Sequence, residues 1–288
     1  MIKDLYDKTS KISFSTYRDD FLMYFGEYKK IIGELGTEIH TLGGAHKRLD
    51  KLVLVDDDTL QNWEFEFRAI KENTLSKIWQ YNNLKSAEIS KIMDSFIISF
   101  ANPELCEETI EIGRSIVFAP IIKYLQKMDL PQKLNTIEIK VNNNEKISIE
   151  DELTLIFVAL SVSDNNKEKI VKRVCRVLDE IDYIDDYRQR VIDSLISFQI
   201  ENFVKSKNDR DKLNEVVDMK VPVEELFLQV ERESVYDEGF ERGFDKGKLE
   251  GKDETIVNML AKSFDVETIR EVTGCSRKHI FELKNKHK

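Results

Sequence analysis

Four prolines, three cysteines and four histidines are spread over 288 residues, and each scarcity closes off a class of explanation. Cys106, Cys175 and Cys275 are odd in number, far apart and without CxxC spacing, so neither a disulfide framework nor a thiolate zinc site is expected. His40 and His46 lack the HxxxH spacing of a zinc helix. No apolar run approaches the roughly 18 to 20 residues that span a bilayer, and the opening MIKDLYDKTSKISF lacks the continuous apolar core of a secretory signal. A soluble, cytoplasmic protein with no membrane partner is the expectation. A Gly-rich loop ending in GK[ST] is missing, which disfavours a nucleotide-hydrolysing motor, and no nucleophilic Ser or Cys signature is present. Without a Ser/Gly linker, domain boundaries have to be read from changes in pattern.

What is present is a foldable composition, 41% hydrophobic and 34% charged, with 16 Phe to fill a core. The net charge of −10 speaks at first against a polyanionic partner, because such binding is driven by phosphate neutralisation and counterion release. Its distribution changes that reading. Residues 1–128 carry 17 basic and 20 acidic side chains, residues 129–238 carry 16 and 25, and residues 239–288 carry 11 and 9. Most of the excess acid therefore lies in the middle.

The pattern along the chain predicts a mixed α/β (α+β) region over 1–145. A helical stretch at about 17–34 precedes two extended runs, 49–55 and 60–68, joined by a turn at Asp56, Asp57 and Asp58. A helix over about 73–93 and a buried strand at 95–100 follow, and TIEIKV at 136–141 reads as a further strand. Residues 146–234 read as an acidic helical segment, opened by a capping box of Ser148 and Asp151. Gly239, Gly243, Gly247 and Gly251 recur every fourth residue over 235–254. In a helix each would cost about 1 kcal/mol relative to Ala, which a close-packed partner helix, for instance in a homo-oligomer, could offset. The competing reading is a charged linker. Residues 255–288 read as three short helices.

The chemistry concentrates in the two extended runs. Alternation sends Trp63, Phe65 and Phe67 to one face and Glu64, Glu66 and Arg68 to the other. A hairpin turning at 56–58 brings Asp50 to the Glu64 end, so two or three carboxylates gather across neighbouring strands. Mg²⁺, or Mn²⁺, takes one or two carboxylates and keeps several waters, and it can activate water and clamp the oxygens of a phosphodiester displacement. The competing reading is a pair of ordinary solvent-facing acids on an exposed sheet.

Thr37 to Phe67, TEIHTLGGAHKRLDKLVLVDDDTLQNWEFEF, resembles the metal-site hairpin of the recombination-promoting nuclease (Rpn) family of the PD-(D/E)XK superfamily. Arg48-Leu49-Asp50 resembles that family's R-x-D, Trp63-Glu64-Phe65-Glu66 its apolar-Glu-apolar-(Gln or Lys) strand, and Lys77 with Tyr81 its following basic helix. ISIEDELTLIFVALSVSDNNKEKIVKRVCRVLDEI resembles its helical segment, and the glycine periodicity its tail. The resemblance implies a restriction-endonuclease-like core, DNA as substrate, a link to recombination or mobile elements, and Asp50, Glu64 and Glu66 as metal-site acids. Glu38 would be an upstream acid, and Lys77 and Tyr81 DNA contacts. One position departs from the family: Glu66 stands where it has Gln or Lys. A carboxylate cannot donate to the attacking water or to developing negative charge, so Arg68 would have to substitute in part. An alternative register makes Glu66 the principal ligand and Arg68 the basic group.

The last segment, with a turn at Thr273-Gly274-Cys275-Ser276, resembles a helix-turn-helix whose exposed Arg277, Lys278 and Lys284 would face DNA; plain helix packing or protein docking explains it equally well. The reading these features support is a metal-dependent DNA endonuclease. Two alternatives stand beside it, a catalytically impaired DNA-binding or oligomerising relative and a protein-interaction scaffold.

Overall fold

The structure, a computed structural model, describes residues 2–40, 46–181, 185–217, 220–232, 255–262, 264–275 and 277–286. The glycine repeat at 235–254 lies outside them. The chain divides into two compact units, Met1–Ser234 and Val235–Lys288.

The first unit is mixed α/β. Helix α1 (Ile2–Tyr17) and the short α2 (Asp19–Tyr24) lead into β1 (Ile31–Glu34). A small hairpin of β2 (Glu38–His40) and β3 (His46–Arg48) precedes β4 (Lys51–Val55), β5 (Leu60–Glu66), α3 (Glu72–Ile89) and β6 (Met93–Ser99). A second hairpin, β7 (Ile110–Ile112) and β8 (Ile116–Phe118), leads to β9 (Ile121–Tyr124). The main sheet has the order β1-β4-β5-β6-β9: the first three strands are antiparallel neighbours, and β5, β6 and β9 run parallel. Helix α3 is the crossover between β5 and β6, the connection a parallel pair requires. The turn at 56–58 forms as expected, with Asp58 in the left-handed region at φ 68° and Asp57 accepting from the Thr59 backbone and hydroxyl.

Strand alternation divides the sheet between two layers. Val53, Val55, Trp63, Phe65, Phe96 and Ile98 enter the large core with Phe14, Phe21 and Phe157. Trp63 stacks on Phe96, ring centroids 4.4 Å apart. The opposite parity supplies Leu52 and Leu60, which pack with Tyr81 of α3, and Ile97, which packs with Leu75 and Ile78 of α3. Glu64 shares this second parity, so it lies on the face that α3 covers.

The helices α4 (Leu130–Asn142), α5 (Ile149–Phe157), α6 (Asp164–Asp179), α7 (Asp186–Phe203) and α8 (Lys207–Val216), with a helix over 223–232, complete the unit. TIEIKV is therefore helical and not a strand. Its alternation also satisfies a 3.6-residue period once Leu130 and Leu134 are included: Leu130, Leu134, Ile137 and Val141 form the buried stripe, while Ile139 is exposed. The stretch 17–34 likewise corrects to the end of α1, α2 and the strand β1.

The expected division at 145/146 does not divide the core, since α5, α6 and α7 bury their apolar faces in the same cluster as α1 and the sheet. Polar links cross the same line: Lys167 donates to the Tyr6 hydroxyl at 2.7 Å, and Tyr17 and Arg188 both reach Glu152, at 3.1 and 2.9 Å. The predicted capping box is present, with Ser148 Oγ accepting from Asp151 N–H at 3.2 Å and Asp151 Oδ2 accepting from Ser148 N–H at 2.7 Å. Ser148→Ala is expected to cost about 1 kcal/mol, read as a lower denaturant midpoint at unchanged slope; no change would show that the reciprocal Asp151 bond caps the helix alone.

The second unit contains helical residues 255–261 and helices Val266–Thr273 and Arg277–Lys286 around Ile256, Ile269, Ile280 and Leu283. Val272, three residues after Ile269, is exposed. Gly274 turns the chain at φ 67°, a conformation that costs glycine nothing. Arg277 is ion-paired with Glu267 and Lys284 is exposed. The Lys278 side chain lies outside the described residues. No helix among the described residues is long and apolar enough to cross a membrane.

Candidate active site

β4 and β5 pair with Lys51 opposite Trp63, which sets Asp50, one residue before β4, beside Glu64. The Asp50 carboxylate closes this end of the hairpin: Oδ2 accepts from the Phe65 backbone N–H at 3.0 Å. Both acids therefore stand where β5 delivers the chain to α3, at the point where the sheet changes from antiparallel to parallel. Crevices beyond the carboxyl ends of strands are the usual ligand positions of open α/β sheets.

A cleft of about 620 Å³ opens there, lined by Glu64 and Glu66 from β5, Asp50 and Arg68 from the chain flanking the hairpin, Lys71 and Lys77 around the start of α3, Arg48 from β3, and Asp7 and Lys11 from α1. Among the residues expected to form a site, Asp50, Glu64, Glu66, Arg68 and Lys77 are brought together. Glu38 is not among the lining residues; it lies on β2, exposed, in the separate hairpin sheet. Tyr81 is buried in the small core with Leu52 and Leu60, under a Lys77 ammonium 5.4 Å from its ring centroid, and does not line the cleft.

Glu64 is the unusual member. Only 5% of it is exposed, so it is not the solvent-facing acid of an open sheet. Burial, and then the nearby Asp50 charge, push its carboxyl up to about 8, against an opposing Asn62 hydrogen bond and the Lys77 charge. Asn62 Nδ2 donates to Glu64 Oε1 at 3.1 Å and to Asn82 Oδ1 at 2.8 Å, and Asn82 donates in turn to Ser95. This chain of amides fixes the Glu64 rotamer from β5 to α3 and β6. Among the described residues, Glu64 makes no ion pair. Glu66, two residues on, is half-buried at the mouth, and Arg68 is exposed with its guanidinium 5.1 Å from the Phe67 centroid.

Helix α1 adds two charged residues to the cleft that the strand pattern does not point to. Lys11 reaches Asp7 Oδ1 at 3.0 Å and Asp50 Oδ1 at 3.2 Å. Burial lowers the Lys11 value, but Asp50 and Asp7 outweigh it and hold the ammonium above its ordinary range. Arg48 is held by Thr37 Oγ1 at 2.8 Å and by Glu231, from the helix over 223–232, at 2.5 Å.

Asp50 already faces the Lys11 ammonium, whereas the buried Glu64 carboxylate needs a proton or a metal ion to be neutral. A pair of this kind fits a hard divalent ion: Asp50 and Glu64 would hold it, with Glu66 also lining the cleft. Asp50 and Glu64 are two carboxylates, a number compatible with Mg²⁺, which takes one or two and keeps several waters; among the described residues no group of three or more His, Cys, Asp and Glu is disposed to hold a metal ion. Compared with protein-family models, curated proteins and solved structures, the chain matches none.

Proposed function

We propose that the chain is a metal-dependent DNA endonuclease of the PD-(D/E)XK type. The observation that carries this reading is the buried Glu64 carboxylate held beside Asp50 in an open cleft that also presents Lys11, Arg48, Arg68, Lys71 and Lys77. The order of helix, antiparallel strands, crossover helix and parallel strand, with Asp50 just before the second sheet strand and Glu64 on the third, supports the same reading. DNA as the polymer, and the link to recombination or mobile elements, come from the sequence resemblance.

A divalent ion held by Asp50 and Glu64 would lower the pKa of a water and neutralise charge on the scissile phosphate. The chain's own groups do the rest. Lys71, the N-cap of α3, and Lys77, in its second turn, would give the phosphate a cationic rest, and the helix terminus beside Lys71 adds to it. Arg68, two residues past the end of β5 and exposed beside Phe67, would meet a flanking phosphate. Glu66 stands where a donor would be expected, so the cations of this cleft come from outside β5: Lys11 on α1, Arg48 on β3, Arg68 and Lys71 between β5 and α3, and Lys77 on α3.

Arg48 is restrained by Glu231. Glu231→Gln is expected to free it and tighten DNA binding by ~3-fold at low salt, with a steeper salt dependence, in fluorescence anisotropy. An unchanged affinity and slope would show that Arg48 reaches no phosphate.

A second reading, favoured by Glu66, is a relative that binds DNA without cutting it. Supercoiled plasmid incubated with Mg²⁺ or Mn²⁺ separates the two. Conversion to open-circular or linear DNA that EDTA stops supports the endonuclease; salt-sensitive binding without conversion favours the second reading.

A further inference from the structure

Both oxygens of Asp50 are already engaged, Oδ2 by the Phe65 N–H and Oδ1 by the Lys11 ammonium. The N–H is fixed by the strand. The ammonium is not: it ends a flexible four-carbon stem and carries three donors. Asp7, one helical turn before Lys11, accepts from the same ammonium at 3.0 Å, so Lys11 can leave Asp50 without leaving the cleft. The other cleft cations have partners elsewhere. Arg48 is on Glu231 and Thr37, Lys71 is on the Leu105 carbonyl at 2.9 Å, Arg68 lies over Phe67 and Lys77 over Tyr81.

We propose that Lys11 is a displaceable counter-ion: it neutralises Asp50 in the metal-free cleft, yields Oδ1 when a divalent ion binds, and turns to the substrate phosphate while Asp7 keeps it in place. This rests on the metal-site reading above and deepens it. It assigns to α1 the cation that the strand lacks at Glu66, and it makes metal uptake and phosphate binding two uses of one ammonium. Asp7 is a positioning residue in this scheme, acting through Lys11.

The test is calorimetric titration of Mn²⁺ into the full-length protein, run beside plasmid cleavage. Removing the competitor in Lys11→Met is expected to tighten Mn²⁺ binding by about tenfold, while cleavage falls by about 100-fold. Asp7→Asn, which replaces the competing carboxylate with a neutral acceptor and so biases Lys11 toward Asp50, is expected to weaken Mn²⁺ binding and slow cleavage. A Lys11 that served packing alone would, when removed, weaken metal binding, cleavage and thermal stability together. Should Lys11→Met fold poorly, Lys11→Gln keeps a neutral polar tip and serves the same comparison. Weaker or unchanged Mn²⁺ affinity in the Lys11 variant overturns the proposal, even if the wild type cuts DNA. Tighter Mn²⁺ binding in a protein whose wild type cuts no DNA upholds the displacement and removes the nuclease reading instead.

Discussion

Glu64→Gln is expected to stabilise the metal-free protein, and to do so only above acidic pH. Burial and Asp50 raise the Glu64 carboxyl from its ordinary 4.5 to about 8. Below about pH 4.5 the group is protonated in both the folded and unfolded chain, and it makes no pH-dependent contribution. Between there and about pH 8 the unfolded chain has lost the proton that the folded chain keeps, so stability falls as pH rises; above that window the loss is complete and the curve flattens. Gln preserves the shape and the acceptor for Asn62 but cannot ionise. The variant should therefore match the wild type near pH 4 and exceed it by on the order of 3 kcal/mol near pH 9, with the cost blunted by relaxation and water penetration. Denaturant unfolding in EDTA across this range measures it. Parallel stability curves for the two proteins would show that Glu64 is not the group responsible.

The same substitution is expected to remove cleavage. Asp50→Asn and Glu64→Gln should each lower the rate by at least ~1000-fold, equivalent to roughly 4 kcal/mol of transition-state stabilisation. Asn is preferred to Ala at position 50 because its oxygen still accepts from the Phe65 N–H; losing that acceptor would leave the donor unpaired and destabilise the hairpin end. The double variant should be no worse than either single one, since two ligands of one ion act as a unit. Glu66→Gln separates the two strand registers. With Glu64 as the principal ligand, it should change the rate by less than ~10-fold; a loss as large as that of Glu64→Gln would make Glu66 the ligand. The combination of a more stable protein and a dead enzyme in Glu64→Gln is the pattern of a site that stores unfavourable electrostatics for function.

How far the sequence reveals this site depends on the range of the interactions. The β4–turn–β5 hairpin was legible because alternation, three consecutive Asp residues and local spacing all act over 20 residues, and they place Asp50 beside Glu64. α3 and β6 were legible for the same reason. α1 was not, because its buried face includes Thr9, Ser10 and Ser13, which dilute the apolar stripe formed by Leu5, Tyr6, Ile12, Phe14 and Tyr17. A helical plot that admits small hydroxyl residues to the inner face would have found it, and with it the Asp7–Lys11 pair one turn apart. TIEIKV satisfies two periods at once, so its own six residues do not separate a strand from α4. The burial of Glu64 could not be read from its own strand, where its neighbours of like parity are Asn62 and Glu66; it depends on α3 folding back across that face.

Calorimetric titration of Mg²⁺ or Mn²⁺ near pH 7, about one unit below the Glu64 value, repeated in buffers of different ionisation enthalpy, tests the shared site most directly. The wild type is expected to bind one ion and release close to one proton, because Glu64 must ionise to become a ligand. Asp50→Asn and Glu64→Gln should lose the binding, and the proton release with it. A wild type that takes up no ion, or variants that bind as the wild type does, would contradict the account.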